Sequence, residues 1–231
     1  MTLPPTNRIL VVAGHYGSGK TEFCVSLAVA LAKSEPHAPL ALVDLDIVNP
    51  YFRSREVENE LNALGVNVYA SMYKGEIAAE IPALGAEVRA PLENADTRVI
   101  IDCGGNDAGA LVLRQFGKYL TPESATLACV VNFNRFETRT VADAVAHVHS
   151  IETATKLPAS YIINNTHLLR ETTADTILRG HELAVETATS LDTKMFCTTY
   201  PVEIANADEL SAIADSLFPV GMYLRKSWHD K

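Results

Sequence analysis

The sequence predicts an α/β fold: a doubly wound, mainly parallel sheet of seven or more strands with helices on both faces. Two observations carry this. Short apolar runs rich in β-branched residues alternate with longer stretches of helical period, the pattern of strands buried on both faces and joined by crossover helices. The first of these runs also opens directly onto a glycine-rich octapeptide followed by a helical stripe, which places a ligand site at the C-terminal edge of the sheet. The chain has 231 residues, 48% apolar and 20% charged, with 12 Gly and 11 Pro. That is the composition of one globular domain large enough to bury a core. No Gly/Ser linker, repeat or low-complexity segment interrupts residues 1–231, so one domain is expected throughout.

Seven runs read as strands: Ile9–Ala13, Leu40–Leu45, Val66–Ala70, Val99–Ile101, Leu127–Val131, Tyr161–Ile163 and Met195–Tyr200. After the first, Phe23, Leu27 and Leu31 fall at i, i+4 and i+8, and after the fifth Val141, Val145 and Val148 repeat the stripe, so each predicts a helix with one apolar face. Further helices are expected around 54–64, 77–93, 108–119, 173–191 and 206–217, the last stopped by Pro219. The tail after Val220 is amphipathic and short, consistent with either a closing helix or a contact surface.

The charge sum, 19 Lys and Arg against 28 Asp and Glu, is −9, with a pI near 5.2. This offers no electrostatic footprint for nucleic acid or anionic lipid. The longest stretches without Asp, Glu, Lys or Arg are 13 residues, Leu61–Tyr73 and Leu157–Leu169, against roughly 17 to 25 for a membrane-spanning helix. The polar start, Met1 to Arg8, followed by a five-residue apolar run, is unlike a signal peptide, and a cytoplasmic protein is expected. Cysteines 24, 103, 129 and 197 show no C-x-x-C pairing and are expected to be buried small hydrophobes.

The octapeptide Gly14-His15-Tyr16-Gly17-Ser18-Gly19-Lys20-Thr21 satisfies G-x-x-x-x-G-K-[ST], with a strand before it and a helix after it. Glycines let successive N–H groups turn toward phosphate oxygens and the helix adds its positive end. Lys20 supplies a point charge, and the Thr21 hydroxyl suits Mg²⁺. Carboxylates at neighbouring strand ends complete such a site. Asp102 ends the fourth run and is followed by Cys103-Gly104-Gly105, a D-x-x-G turn able to offer the Gly105 N–H to a terminal phosphate; as a bland alternative, Asp102 caps a helix near Asp107. In Leu42-Val43-Asp44-Leu45-Asp46, strand period puts Asp44 and Asp46 on one side, where a like-charged pair calls for a cation.

A P-loop at the start, D-x-D after the second strand and D-x-x-G near the middle resemble the MinD/ParA/CobQ-type nucleotide-binding proteins of the SIMIBI class of P-loop NTPases. The resemblance runs from Arg8 to about Leu217. Gly14–Glu22 and Asp44–Glu56 are more similar still to uncharacterised bacterial ATP-binding members. By position, it implies that Lys20 and Thr21 serve phosphate and Mg²⁺, Asp46 orients water, Asp102 is the Walker B carboxylate, and Asp44 supports the metal site. MinD and ParA carry a second lysine that reaches across a dimer interface; here His15 stands at that position. The loop is therefore also similar to those of nickel-insertion and signal-recognition GTPases.

Guanine selection in this class uses N-K-x-D after a late strand. Here that position reads Asn164-Asn165-Thr166-His167, which lacks the carboxylate that pairs with guanine, and Asn164 suits the adenine edge. Tyr200-Pro201-Val202 resembles the segment that walls the base, although an ordinary loop would read the same. Asn132, Asn134, Arg135 and Thr138 fit either a ligand or solvent. Arg53 and Arg55 fit either phosphate charge or pairing with Glu56 and Glu58. The expected activity is Mg²⁺-dependent ATP binding with slow hydrolysis that drives a conformational or homodimerisation switch toward a client protein. The alternatives are a small-molecule kinase or ligase of the dethiobiotin-synthetase or cobyrinate-amidase type, acting on a small acceptor, and a GTPase metal-insertion chaperone.

Overall fold

The computed structural model describes residues 4–46, 57–70, 88–104, 113–203 and 207–224. Eight strands form one wholly parallel sheet: β1 Ile9–Gly14, β2 Leu40–Leu45, β3 Val66–Ala70, β4 Arg98–Cys103, β5 Ala125–Val131, β6 Ala159–Asn164, β7 Lys194–Pro201 and β8 Leu217–Val220. Their spatial order is β3-β2-β4-β1-β5-β6-β7-β8. The chain winds from β1 toward one edge, returns through β4, and winds toward the other from β5. The switch point therefore lies at β1, where a crevice at the strand C-termini forms without a crossing connection.

Strand alternation sorts the core into two layers. Ile9, Val11 and Ala13 of β1 join one cluster, with Ala144, Val148 and Ile151 of α3 (Val141–Thr155) and Ala184 and Ala188 of α4 (Ala174–Ser190). Leu10 and Val12 join the other, with Phe23, Leu27 and Ala28 of α1 (Lys20–Ser34) and Leu61 of α2 (Glu58–Ala63). The same alternation carries Leu40, Leu42 and then Asp44 along β2, and Ile100 and then Asp102 along β4, so both carboxylates fall on the α1 layer at the top of the sheet.

Helix ends follow local chemistry. Thr140 and Asp143 form a reciprocal capping box at the start of α3, and Thr173 accepts from the Thr176 N–H at the start of α4. The α3 stripe is Ala144, Val148, Ile151 and Thr155; Val141 and Val145 are only half-buried, because the face against the sheet lies one residue around from the valine stripe. α1 is buried on most of its circumference, Cys24, Val25, Ser26 and Val29 included, since it packs on the sheet and also beneath the segment after β8. Of the other expected helices, 88–93 is helical, and in the described part of 108–119 residues 113–114 are helical and turns follow, with Leu113 and Phe116 buried.

The expected 206–217 helix is corrected. Residues Ala207–Ser216 form 3₁₀ turns interrupted at Ile213, and Leu217–Val220 is an eighth, parallel strand. Pro219 cannot donate to a ladder, and it is tolerated because β8 is an edge strand. All four cysteines are buried free thiols, as expected, with burial pushing each thiol pKa up.

Phe23 ties α1 to the far edge, with its ring 6.1 Å from that of Phe196 on β7 and 5.5 Å from that of Phe218 on β8, both edge-on. Phe23→Ala is expected to cost about 3–5 kcal/mol. At this chain length that corresponds to a melting temperature lower by about 6–20 °C, measured by calorimetry.

Candidate functional site

The loop after β1 is shaped by close approach. A Cβ at Gly14 would sit 2.3 Å from the Val130 carbonyl oxygen of β5, so only glycine lets β1 turn here against its neighbour. The Ser18 N–H closes the turn onto the His15 carbonyl at 3.1 Å. Gly19 is the N-cap of α1, at φ 84°, in the left-handed region glycine enters without strain, and no side chain caps the helix. The first N–H groups of α1 therefore remain available to an anion.

Lys20 opens α1 yet is only 4% exposed. It folds back over the loop, with Nζ donating to the His15 carbonyl at 3.3 Å and standing 3.7 Å from Asp46 Oδ2. Asp46 and Asp44 are themselves linked, the Asp46 N–H donating to Asp44 Oδ1 at 3.1 Å. Asp44 and Asp102 are register partners on adjacent strands, and Asp102 is level with Val12, two residues below the loop. The D-x-D pair and the β4 carboxylate thus meet beneath Lys20. Asp102 is fully buried, and neither carboxylate oxygen has a hydrogen-bond partner among the described residues. Burial first and the Asp44 charge second push its pKa up to about 7; Lys20 and the nearby Thr21 hydroxyl oppose the shift, the latter without a hydrogen bond of normal geometry.

This donor set fits Mg²⁺. A hard cation that keeps much of its water needs a hydroxyl and one or two carboxylates, and Thr21 beside the unmatched oxygens of Asp102 supplies them. No group of three or more His, Cys, Asp or Glu among the described residues makes a protein-only metal cage.

A cleft opens above the loop. Its lining includes Tyr16, Gly17, Gly19, Lys20, Thr21, Asp46, Arg135, Asn165, His167 and Pro201. Asn164 is not in it. Ile162 packs on the α3–α4 layer and strand period puts Asn164 there too. Its amide donates to the Ile177 carbonyl at 3.3 Å and accepts from Thr166 at 2.7 Å. Asn165, one residue on, faces the loop instead: its Nδ2 donates to the Ser18 carbonyl at 2.6 Å and its Oδ1 accepts from the Thr199 hydroxyl. Strand alternation from Ile162 was the signal that separates the two. His167 accepts the Leu169 N–H on Nδ1 at 3.3 Å, so in the neutral ring the proton sits on Nε2, the nitrogen that faces Gly19.

His15 turns away from the cleft. Its Nδ1 meets the Tyr16 carbonyl at 3.0 Å and lies 3.8 Å from Glu137, and its ring packs edge-on against His147 at 5.4 Å. Burial, then His15, push the His147 pKa down to about 4. Gly105, Arg53 and Arg55 lie outside the described residues.

One wall was not legible as a site in the sequence. After β8 the chain crosses the head of α1, where Gly221, Met222 and Leu224 line the cleft. The Gly221 N–H donates to Ser26 Oγ at 3.1 Å, and the N–H groups of Tyr223 and Leu224 both donate to the Glu22 carboxylate. Glu22, the residue after Lys20-Thr21, therefore straps the C-terminal segment to the phosphate end of the helix.

No protein-family model matches the chain, and comparison with curated proteins finds no match. Among solved structures, the cell division protein FtsY of Thermotoga maritima superposes with a TM-score of 0.54 at 19% identity, over 84% of this chain and 62% of that one. The signal recognition particle 54 kDa protein of Aeropyrum pernix, solved with GDP, gives 0.53 at 17%, over 84% and 41%. The chain shares their fold. FtsY of Mycoplasma mycoides gives 0.51 at 15%, over 84% and 60%. The fold is thus the parallel α/β fold of these P-loop NTPase neighbours, and the chain spans less than two thirds of the length of each. The MinD/ParA/CobQ type of the expected resemblance gains no support from these three structures.

Because folding raises the Asp102 pKa above its ordinary 3.8, the folded state binds that proton more tightly, and the group's cost to stability grows as pH rises from about 4 through about 7. Asp102→Asn is expected to stabilise the ligand-free protein at pH 8 by about 1–3 kcal/mol, with a smaller gain at pH 5, measured by urea titration at both pH values. Glu22→Ala is expected to release the strap: amide exchange at Tyr223 and Leu224 rises at least about tenfold, while exchange in β1 and β5 is unchanged.

Proposed function

We propose that the chain is a Mg²⁺-dependent ATP-binding protein that hydrolyses ATP slowly and uses the cycle as a switch, acting in the cytoplasm as a single-domain protein that forms homodimers with a client still to be found. The observation that carries this reading is the buried Lys20 set between an uncapped helix start and three buried strand-end carboxylates, one of them unmatched. A lysine and three aspartates buried together without a ligand are costly, and a polyphosphate with its cation satisfies both sides at once.

In this reading the Gly14–Thr21 N–H groups and Lys20 hold the phosphates, and Thr21 and Asp102, with Asp44 behind them, hold Mg²⁺, which supplies charge neutralisation when bound. Asp46, now paired with Lys20, is placed to orient water. In hydrolysis the water oxygen bonds to the terminal phosphorus as the bond to the bridging oxygen breaks. The bridging oxygen keeps the electron pair on the departing diphosphate, and both water protons leave with the phosphate as H₂PO₄⁻.

Adenine is preferred because His167 stands where guanine would need a carboxylate to accept from N1–H and N2–H₂. Pro201 walls the base side. Asn165 acts by bracing the loop, and Asn164, expected to suit the adenine edge, does not line the cleft.

Lys20→Ala is expected to weaken ATP binding by about 100-fold with the fold intact, measured by calorimetry. In displacement of a fluorescent nucleotide, ATP is expected to compete better than GTP. Tighter GTP binding would transfer the reading to a GTPase, and ADP release that depends on a small acceptor would transfer it to a kinase.

A further inference from the structure

The cleft is short of positive charge. Lys20 is 3.7 Å from Asp46, and Asp44 and Asp102 are buried just beneath, so the carboxylates outnumber the ammonium three to one before a polyphosphate enters. Glu22 adds a further acidic side chain to the lining. His15 faces His147 and Glu137 and contributes nothing here.

Arg135 is the exception among the lining residues. It follows β5, in a turn held rigid where the Arg135 N–H donates to the Asn132 carbonyl at 3.0 Å and the Thr138 hydroxyl to the same carbonyl at 2.8 Å. On the neighbouring residue, Asn134 Oδ1 accepts from Arg179 of α4 at 2.6 Å. The Arg135 Nε donates to the Gly17 carbonyl at 3.1 Å, and the guanidinium lies so close to Gly17 that a Cβ there would be 3.1 Å from Cζ and Nη2. Arg135 has no carboxylate partner within 4.0 Å among the described residues, and the guanidinium's single hydrogen bond there, through Nε, leaves the Nη1 and Nη2 donors uncommitted. Arg8 shows the contrast: its Nη1 and Nη2 donate to four carbonyls between Pro91 and Thr97, a wholly structural use of the same group.

We infer that Arg135 is a catalytic residue of this site, a guanidinium supplied by the same chain and fixed at the phosphate loop through Gly17 to bind the terminal phosphate and the charge that gathers on it during hydrolysis. This rests on the nucleotide-binding reading above. A planar fork anchored by Nε presents its two remaining nitrogens to phosphate oxygens with little further ordering, which a lysine at the same place would not do. The charge that a partner chain would otherwise deliver is then already in the protomer.

The test compares wild type, Arg135→Ala, Arg135→Lys and, as a control, Arg139→Ala, whose guanidinium lies over the Phe136 ring, 5.6 Å from its centroid. Arg135→Ala is expected to lower the ATP hydrolysis rate about a hundredfold or more and to lose triphosphate affinity while keeping ADP affinity within about threefold. Guanidinium at millimolar concentration should restore a measurable part of the rate, Arg135→Lys should stay slow, and Arg139→Ala should match wild type. Hydrolysis unchanged in Arg135→Ala would overturn the inference. So would a loss that takes ADP affinity with it and resists guanidinium, since Arg135 would then only brace the loop. If wild type itself bound no nucleotide, the failure would belong to the nucleotide-binding reading instead.

Discussion

Everything at the top of the sheet depends on how a lysine and three aspartates are kept out of water together. Lys20 is drawn inward by the loop carbonyl and Asp46, Asp44 spends one oxygen on the Asp46 N–H, and neither Asp102 oxygen accepts a hydrogen bond among the described residues. An ion taken from water costs several kcal/mol unless it is matched, so the arrangement is held in place by the core below it and not by its own attraction. That explains why the carboxylates stand on β2 and β4, the two strands on one side of β1 whose registers are fixed by parallel ladders, while more adaptable polar groups sit in loops.

Much of this was visible in the residues. Asp44 and Asp102 end apolar runs with the period of two intact, so their common face follows from counting, and the strand before and helix after Gly14–Thr21 follow from the same alternation. β2 and β3 have the bounds that their apolar runs give. Legibility failed where packing overrode local pattern. β8 is four residues long and contains a proline, so nothing in Leu217–Val220 announces a strand until β7 is beside it. Asn164 and Asn165 are chemically identical, and only the alternation carried on from Ile162 tells them apart. The valines of α3 look like a stripe, yet alanine is the residue small enough to face the sheet at 144.

Glu22 was illegible, and Arg135 legible only as one of several polar residues after the fifth run, for a different reason. Each acts through a partner more than a hundred residues away, Glu22 through the amides of Tyr223 and Leu224 and Arg135 through the carbonyl of Gly17. No window of sequence contains both halves. Both reach the loop from the same side of β1, Arg135 by way of the adjacent strand β5 and Glu22 by way of the edge strand β8, so the cleft is enclosed by elements whose spacing that half of the sheet determines.

The strand order has a consequence for biosynthesis. Ile9 finds its two neighbours in Val99 and Ala125, and no strand made between β1 and β4 lies next to it. A ribosome that has just released the glycine-rich loop has therefore exposed a fully apolar strand with neither hydrogen-bonding partner yet in existence. The loop cannot be set in its working shape until Val130, against whose carbonyl Gly14 turns, has left the exit tunnel. During that interval the nascent chain depends on helix α1 folding locally, or on a chaperone, to keep Ile9–Ala13 from pairing with the wrong edge.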